Sequence, residues 1–478
     1  VRDYFDVFDE VYCPKEHTFE FLQNVLTEVM ELFPSHYIHI GGDECPKKAW
    51  KKCAHCQHLM KWEGLPNEEA LQSWFIHRIE QFVNSKGRDI IGWDEILEGG
   101  LAPNATVMSW RGEKGGIEAA RQRHKVIMTP GKKCYLDYYQ ESPEFAPLAI
   151  GGFLPLDTVY NYNPLPAELT PEEQAYIIGV QANIWGEYIQ TPEYFEYMAF
   201  PRLLAMSEVQ WTQPEHKDFE SFARRLDKEF ERLDYCGVNA CRNFYEVNQA
   251  GAWNKSQQTY EVTLNTFCPD ADIYYAVNDS TVNTSSSLYK TPIPLDEDAT
   301  VYSAVYRSGK PLGKVTRKSF AVNKATGCDY TCNPEAGWEH LNKGFGLTDG
   351  RRGYARDMRR WISFYQDTVQ IVVELKKPQK VKEVAFSSLW RPVNEIWPAR
   401  AMGVSVSMDG QTFIPVGTKR LTYDFSLTEG TRFPASLSFA ETEATFVRLE
   451  LLSGGLCPKG YFHEGLQSEL AIDEIEIY

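Results

Sequence analysis

Basic charge is scarce in this 478-residue sequence. It holds 49 lysine and arginine residues against 66 acidic ones, which gives a formal net charge of −17. Proteins that bind nucleic acid need a basic surface to neutralise phosphates, so this balance argues against a nucleic-acid partner. The sequence also lacks an uninterrupted apolar run of membrane-spanning length. We therefore expect neither a nucleic-acid partner nor a membrane span in this chain.

A complete zinc-finger pattern is lacking as well. Eleven cysteines are scattered along the chain, and only Cys53 and Cys56 form a C-x2-C half, with Cys45 and His58 nearby. Because no second half follows at finger distance, a loop packed by thiols or one disulfide is favoured over zinc. In an oxidising compartment, two pairs of cysteines are near enough in the sequence to form local disulfides, Cys236 with Cys241 and Cys328 with Cys332.

The first half of the chain, residues 1–248, alternates between helical and strand patterns. Helices are predicted over residues 18–33, 68–85, 114–123 and 192–209, the first with Thr18 as N-cap and Leu22, Val25, Leu26, Val29 and Phe33 as its apolar face. Short apolar strands are predicted at residues 37–42, 89–93, 106–110, 125–129 and 178–185. This alternation predicts an α/β domain, a parallel sheet covered by helices.

The second half changes to an all-β pattern. Residues 249–323 contain apolar residues at period two between turn residues, which predicts a small immunoglobulin-like β-sandwich. Residues 324–478 continue with further alternating strands and form a third predicted domain. No low-complexity linker separates the three domains, so we expect them to pack closely.

Carboxylates and aromatic residues concentrate where the predicted parallel strands end. In a parallel α/β barrel, functional side chains lie at the carboxyl ends of the strands. Carboxylates hold hydroxyl groups and indole rings stack on sugar faces, so this combination is typical of a sugar site. The residues are Asp43, Glu44, Trp93, Trp110, Tyr135, Asp137, Trp185 and Glu187.

The adjacent pair Asp43 and Glu44 is the strongest catalytic candidate. Gly41 and Gly42 precede the pair and permit a turn and a close approach of ligand. Two neighbouring carboxylates repel each other, so that one keeps its proton and supplies a general acid, which then serves as base. Alternatively, the pair is an ordinary solvated one.

Three other residues near these strand ends have a structural interpretation that we favour. Asp94 and Glu95 are expected to support the site or start a helix rather than contact substrate. His39 lies within a predicted strand, which favours a core histidine over a proton shuttle.

The segment His39-Ile-Gly-Gly-Asp-Glu44 resembles the signature of glycoside hydrolase family 20, the β-N-acetylhexosaminidases. Gly92-Trp-Asp-Glu95, Trp110, Tyr135-Leu-Asp137 and Trp185-Gly-Glu187 are similar to that family's later motifs in order and approximate spacing. The resemblance covers residues 1–248 and implies a (β/α)8 TIM-barrel catalytic domain.

The resemblance also implies a retaining, substrate-assisted mechanism in which the 2-acetamido oxygen of the sugar attacks the anomeric carbon. Glu44 would be the acid and then the base, Asp43 would orient the acetamido N–H, and Tyr135 would bind its oxygen. The remaining residues would wall the pocket or hold hydroxyl groups, namely Trp93, Trp110, Trp185, Asp137 and Glu187. No metal and no organic cofactor is implied, because the substrate supplies the nucleophile.

The barrel of this family has three strands before the segment at Tyr37, and they bring an arginine and a histidine to the site. Neither is found in this sequence, so we expect a barrel that lacks its first strands, and an upstream domain with a signal sequence. Localisation in the periplasm, at the cell surface or outside the cell is expected from the substrate class alone.

The two C-terminal modules also resemble known families. Residues 255–322 look like the small sandwich that follows the barrel in bacterial members of the family. Residues 324–478 resemble a discoidin-type, galactose-binding-like jelly roll, through Gly346-Leu-Thr-Asp-Gly350, Trp361 and Ser407-Met-Asp-Gly410 before Phe413. Such a module either binds sugar through aromatic residues, here Trp338, Trp390 and Trp397, or only braces its neighbour.

We therefore predict an exo-β-N-acetylhexosaminidase acting on terminal β-linked N-acetylglucosamine or N-acetylgalactosamine of glycans. One alternative is a non-catalytic glycan-binding protein with a disabled barrel. A second alternative is a relative in the same family that releases a disaccharide or a sulfated sugar.

Overall fold

The computed structural model describes residues 7–335, 346–427, 430–461 and 463–478. The chain forms two compact units, one of Val1–Glu141 with Leu148–Cys241 and one of Ser142–Pro147 with Arg242–Tyr478. The three-domain division at residues 248 and 323 stays a prediction.

The first unit alternates short strands with helices. Its strands are β1 (Tyr37–His39), β2 (Asp89–Trp93), β3 (Thr106–Ser109), β4 (Val126–Met128) and β5 (Ile177–Val180). Its helices are α1 (Glu16–Leu32), α2 (Lys48–Lys52), α3 (Ala54–Glu63), α4 (Glu68–Ser85), α5 (Lys114–Arg121), α6 (Gly131–Cys134), α7 (Leu156–Tyr160), α8 (Pro171–Gln174), α9 (Pro192–Ala199), α10 (Arg202–Trp211) and α11 (Phe219–Tyr235). A 3₁₀ turn at Asp94–Leu97 follows β2 directly.

The five strands form one parallel sheet in chain order, β1-β2-β3-β4-β5. Parallel order places the carboxyl ends of all five at one edge, which is where the candidate site residues follow. Within the described residues β1 pairs only with β2 and β5 only with β4, so the sheet is open there. The α/β class is confirmed, and the (β/α)8 barrel lacking its first strands stays a prediction.

Several predicted element limits are corrected by the structure. Helix α1 begins at Glu16, and the hydroxyl of Thr18 donates to the Cys13 carbonyl instead of capping the helix. Of its predicted apolar face, Val25 and Phe33 are exposed. Strand β5 ends at Val180, five residues before the predicted limit, since only residues as far as Val180 pair with β4.

The predicted helix over residues 192–209 is two helices. Pro201 separates α9 from α10 because proline lacks the N–H that a continuous helix would need at this position. Helix α10 starts immediately afterwards with Arg202, a fully buried residue that contacts the active-site segment described below.

The second unit is built from antiparallel strands. They are β6 (Asn248–Asn254), β7 (Thr259–Asn265), β8 (Asp272–Val277), β9 (Ser287–Leu288), β10 (Ile293–Leu295), β11 (Ala299–Arg307), β12 (Lys310–Pro311), β13 (Thr316–Phe320), β14 (Asp329–Asn333), β15 (Ile362–Phe364), β16 (Thr368–Trp390), β17 (Ala401–Ser407), β18 (Ile414–Arg420), β19 (Thr431–Leu452), β20 (Leu470–Ile472) and β21 (Glu476–Ile477). They form sheets of three, five and eight strands, with β16 and β19 paired along most of their lengths. The predicted all-β character of this half is confirmed.

Two of the three candidate sugar-binding tryptophans of this unit lie in its interior. Trp390 and Trp397 are 4% and 5% exposed and pack with Phe433 and Cys457, so their ring faces are covered by protein rather than open to sugar. Burial therefore contradicts the sugar-binding alternative for these two tryptophans. The third, Trp338, lies outside the described residues.

All eleven cysteines lie in the described part of the chain, and no two of them are joined by a disulfide. The local pairs suggested by the sequence are therefore not formed in this structure. Among the described residues, none of the helices combines the length and apolarity that a bilayer span requires.

Candidate active site

The loop after β1 carries Asp43 and Glu44 against the end of β2. The N–H of Trp93 donates to the Gly41 carbonyl at 2.9 Å, which fixes the loop to the neighbouring strand. Gly42 has φ +98°, and a Cβ there would lie 2.6 Å from Cγ2 of Ile96. Only glycine fits both the conformation and the space, so this local sequence determines where the two carboxylates emerge.

The two carboxylates differ in environment. Asp43 is half-buried, whereas Glu44 is exposed and has φ +44°, in the left-handed region that glutamate rarely adopts. Such outliers concentrate at functional sites, where the surrounding structure compensates for the strain. Both residues line a cavity of about 800 Å³ together with Tyr12, Trp50 and Phe75. Within the described chain, none of the four aromatic site residues lines that cavity.

Those four aromatic residues form a separate wall of successive ring contacts along the strand ends. Trp93, at the end of β2, lies 6.0 Å from Trp185, which follows β5. Tyr135, after β4, lies 6.5 Å from Trp185 and 6.4 Å from Trp110, which follows β3, the latter pair nearly parallel. In a flat sheet β2 and β5 would be about 14 Å apart, three strand spacings. The side chains therefore converge at this edge.

Asp137 lies two residues beyond Tyr135 and is 3% exposed. Burial raises the pKa of its carboxyl to about 6. The backbone N–H groups of Asp137 and Trp185 and the charge of Arg202 oppose this shift, and the negative charge of Glu187 adds to it. Neither carboxylate oxygen has a hydrogen-bond partner of ordinary geometry among the described residues. Buried carboxylates are normally satisfied, so this one is suited to accept hydrogen bonds from a hydroxylated ligand.

Arg202 organises the segment that carries Tyr135 and Asp137. Its guanidinium is fully buried and donates to the carbonyls of Leu136, Tyr138, Leu154 and Met198. Burial lowers the pKa of Arg202 to about 10, which leaves it charged at neutral pH. The sequence did not reveal this residue, because three of its four partners are backbone carbonyls 48 to 66 residues earlier in the chain.

Asp94 and Glu95 support Trp110 and Arg111. Arg111 Nε lies 2.6 Å from Asp94 Oδ1 and 3.7 Å from Glu95 Oε1, and Trp110 Nε1 donates to Glu95 Oε2 at 2.9 Å. Burial raises the pKa of Glu95, while the Trp110 N–H and Arg111 act against that shift. The pair thus fixes the orientation of the Trp110 ring.

His39 is exposed, so the prediction of a core histidine is wrong. Its ring lies 4.8 Å from that of Trp93, and its Nδ1 accepts the N–H of Gly41 at 3.1 Å. Desolvation lowers the pKa of its imidazole, and the negative charge of Asp43 opposes that shift. His39 therefore links the carboxylate loop to the aromatic wall.

Two further residues, which the sequence did not single out, adjoin the aromatic wall. Asn183 bridges to Tyr135 through the backbone, and the ring of Tyr138 lies 5.8 Å from that of Tyr135. Burial raises the pKa of the Tyr135 hydroxyl, and the nearby side chains of Asn183 and Trp185 act in the opposite direction. Tyr135 is therefore a neutral hydrogen-bond donor at neutral pH.

Two stretches of the chain match known protein families. Residues 2–214 match the glycosyl hydrolase family 20 catalytic domain. Residues 248–316 match the chitobiase/beta-hexosaminidase C-terminal domain. The family resemblance predicted from the motifs is confirmed for these two stretches.

Individual relatives match the same half of the chain. A beta-hexosaminidase of Porphyromonas gingivalis is 54% identical over 235 residues, which are 49% of this chain and 30% of that protein. A beta-hexosaminidase of Vibrio furnissii is 37% identical over 195 residues, 40% of this chain and 32% of that protein. The matched residues thus span about a third of the length of these curated relatives.

A solved structure shows the same coverage. An exo-β-N-acetylglucosaminidase of Vibrio harveyi in complex with N-acetylglucosamine is 35% identical, with a TM-score of 0.44, covering 48% of this chain and 36% of that one.

Proposed function

We propose that the protein is an exo-β-N-acetylhexosaminidase that hydrolyses terminal β-linked N-acetylglucosamine or N-acetylgalactosamine from glycans. The observation that carries the proposal is the meeting of acid and aromatic groups at one sheet edge. Trp93, Trp110, Tyr135 and Trp185 form a continuous wall, and the buried carboxylate of Asp137 lies beside it, next to the backbone of Trp185. Sugars need both kinds of group, since hydroxyls bind carboxylates and C–H faces pack on rings.

In the proposed reaction the substrate supplies the nucleophile. The 2-acetamido oxygen forms a bond to the anomeric carbon while the glycosidic bond breaks, and Glu44 gives its proton to the departing oxygen. Glu44 then takes a proton from water as that water opens the oxazolinium ring with retention of configuration. Asp43 holds the acetamido N–H and stabilises the positive charge. The exposed position of Glu44, beyond half-buried Asp43, supports this division of roles.

The remaining roles follow from position. Tyr135, whose raised pKa keeps its hydroxyl protonated, donates to the acetamido oxygen. Trp93, Trp110 and Trp185 surround the methyl group and the ring, and Asp137 with Glu187 binds hydroxyls on the far side. An end closed by these two carboxylates favours release of a monosaccharide over a disaccharide.

The finer architectural predictions are part of the same proposal. The convergence of rings from β2 and β5 supports a sheet curved as in a (β/α)8 barrel. The eight-stranded antiparallel sheet supports a discoidin-type module over residues 324–478, with a bracing role, since Trp390 and Trp397 are buried. Export from the cytoplasm is proposed from the substrate class.

The test compares hydrolysis of nitrophenyl β-N-acetylglucosaminide with that of nitrophenyl β-glucoside, and follows the anomeric configuration of the first sugar released by NMR. We expect activity on the acetamido sugar only, with β-anomer as the first product. Comparable activity on the glucoside would exclude substrate assistance. Binding of N-acetylglucosamine without turnover would favour the glycan-binding alternative.

A further inference from the structure

Three thiols from two separate stretches of the sequence meet next to the loop of Asp43 and Glu44. Cys13 Sγ lies 4.0 Å from Cys53 Sγ and 3.7 Å from Cys56 Sγ, and all three sulfurs lie within 4.8 Å of one another. Thiolates around a tetrahedral zinc ion at about 2.3 Å lie about 3.8 Å apart. A disulfide requires about 2.0 Å and joins only two of them. The spacing is therefore that of three corners of a metal tetrahedron.

The backbone holds these thiols in place. Cys53 precedes α3 and Cys56 lies in its first turn, so their C-x2-C spacing brings both sulfurs to the start of that helix. The segment of Cys13 is fixed opposite them, because Trp50 Nε1 donates to the Tyr12 carbonyl at 3.0 Å and His55 Nε2 lies 3.3 Å from the Pro14 carbonyl. The site is thus assembled by tertiary contacts that do not involve sulfur.

A fourth thiol lies close by. Cys45 directly follows Glu44 and packs against the buried cluster that contains Cys56 and Trp50, although its Sγ is not one of the three sulfurs that lie within 4.8 Å of one another. Two lysines face this group of cysteines: Lys47 Nζ donates to the Cys45 carbonyl at 2.9 Å, and Lys15 interacts electrostatically with Cys13. Four thiolates around a divalent zinc carry a net charge of −2, which two such cations offset.

We propose that Cys13, Cys45, Cys53 and Cys56 bind one zinc ion as thiolates. Each thiol releases its proton to solvent on binding, and a site closed by four sulfurs takes a structural rather than a catalytic part. Because Cys45 adjoins Glu44, the metal fixes the carboxylate loop to the start of α1 and to α3. The site goes beyond the proposed glycosidase function, and it does not depend on it.

The first experiment measures zinc in the purified protein by mass spectrometry after loading and gel filtration. We expect about one zinc per chain for the wild type, a loss of most of it for Cys13→Ser and Cys56→Ser, and full retention for the control Cys236→Ser. Cys236 is exposed and lies outside the cluster. Full zinc in Cys45→Ser would overturn the fourth ligand, and a wild type without zinc after loading would overturn the site.

Because a serine variant can fail to fold, two measurements use the wild type. X-ray absorption at the zinc edge is expected to show four sulfur neighbours at about 2.3 Å. An organomercurial is expected to release about one zinc, detected with a chromophoric chelator. Nitrogen or oxygen neighbours, or a disulfide between Cys13 and Cys53 or Cys56 found by peptide mapping, would overturn the proposal. None of these readouts involves substrate, so a failed glycosidase proposal leaves them unchanged.

Discussion

At the residue scale, Glu44 and its neighbour Asp43 lie in different environments. Neutralising each carboxylate is therefore expected to impair a different part of catalysis. Glu44 is exposed on a strained left-handed backbone, while Asp43 is half-buried beside His39. An exposed acid at the mouth of the site reaches a leaving group, whereas an inner carboxylate reaches the substituent on the bound sugar.

Glu44→Gln is expected to lower kcat/KM about 10²-fold or more on chitobiose, whose leaving group needs a proton. On nitrophenyl β-N-acetylglucosaminide, whose leaving group departs unprotonated, the loss in the first step should be much smaller. Steady-state kinetics on both substrates check this difference. Glu118→Gln, on the exposed face of α5, is the control and should be unaffected. Equal losses on both substrates would remove Glu44 from the acid role.

Asp137 yields a prediction about pH and stability. Folding raises the pKa of its carboxyl from 3.8 to about 6, so the folded protein holds this proton over a range where the unfolded chain has lost it. The protonated carboxyl therefore adds its full contribution to the free energy of unfolding below about pH 4. This contribution is lost as the pH rises from about 4 to about 6. Above about pH 6 the buried charge of Asp137 costs about 3 kcal/mol of folding stability.

Asp137→Asn removes this titration. We expect its melting temperature to exceed that of the wild type above pH 6, with the difference vanishing near pH 4, while KM for substrate rises. Thermal melts between pH 4 and 8 check the stability, and Asp234→Asn at an exposed position should show no such trend. A variant less stable than the wild type at pH 7 would contradict the assignment of an unfavourable buried charge.

At the element scale, helix α10 is connected to the active-site segment through one side chain. Arg202 donates hydrogen bonds to four backbone carbonyls, and three of these carbonyls belong to residues 136–154. Each carbonyl left buried without a donor costs about 1–3 kcal/mol. Because Tyr135 and Asp137 flank Leu136, loss of this support displaces groups that the proposed reaction needs.

Arg202→Met, which keeps an unbranched apolar chain but removes the donors, is expected to destabilise the protein by about 3 kcal/mol or more and to raise KM. Arg202→Lys should recover part of the stability. Chemical denaturation and steady-state kinetics check both effects, and Arg224→Met on the exposed side of α11 is the matched control. An unchanged unfolding midpoint for Arg202→Met would show that water replaces the lost donors.

At the scale of the whole molecule, Arg242–Tyr478 form one compact unit with Ser142–Pro147, although the sequence divides most of this stretch into two modules. Arg351 donates to the Gly251 carbonyl through Nε at 3.0 Å and Nη2 at 2.6 Å. Lys376 Nζ lies 3.1 Å from the ring centroid of Trp253, and a Cβ on Gly350 would lie 2.5 Å from the Tyr260 ring. These contacts join the strands before residue 323 to those after it.

We therefore expect the two predicted modules to unfold together. Trp253→Ala should lower hydrogen-exchange protection in β7 and in β16 by similar factors, because both strands depend on the same contacts. Trp211→Ala is the control, as Trp211 is 88% exposed in the other unit, and should leave both strands protected. Loss of protection in β7 alone would show that the modules are independently stable.

Strands, one helix and the loop before Asp43 were predictable from the sequence. The spacing of apolar residues predicts the parallel strands, and it predicts α4 with its limits at Glu68 and Ser85. The glycines before Asp43 determine the conformation of that loop. These features depend on near neighbours in the chain, so a pattern can encode them. The family motifs at the strand ends were likewise recognisable because each is short and contiguous.

Only the tertiary structure decided which distant groups meet. His39 is exposed, and Trp390 and Trp397 are buried. Arg202 binds backbone carbonyls 48 to 66 residues away. Cys13 lies beside Cys53 and Cys56, which are 40 and 43 residues further along the chain, and the zinc proposal rests on that proximity. Burial and long-range contacts depend on the packing of whole elements, and no local pattern of residues specifies that packing.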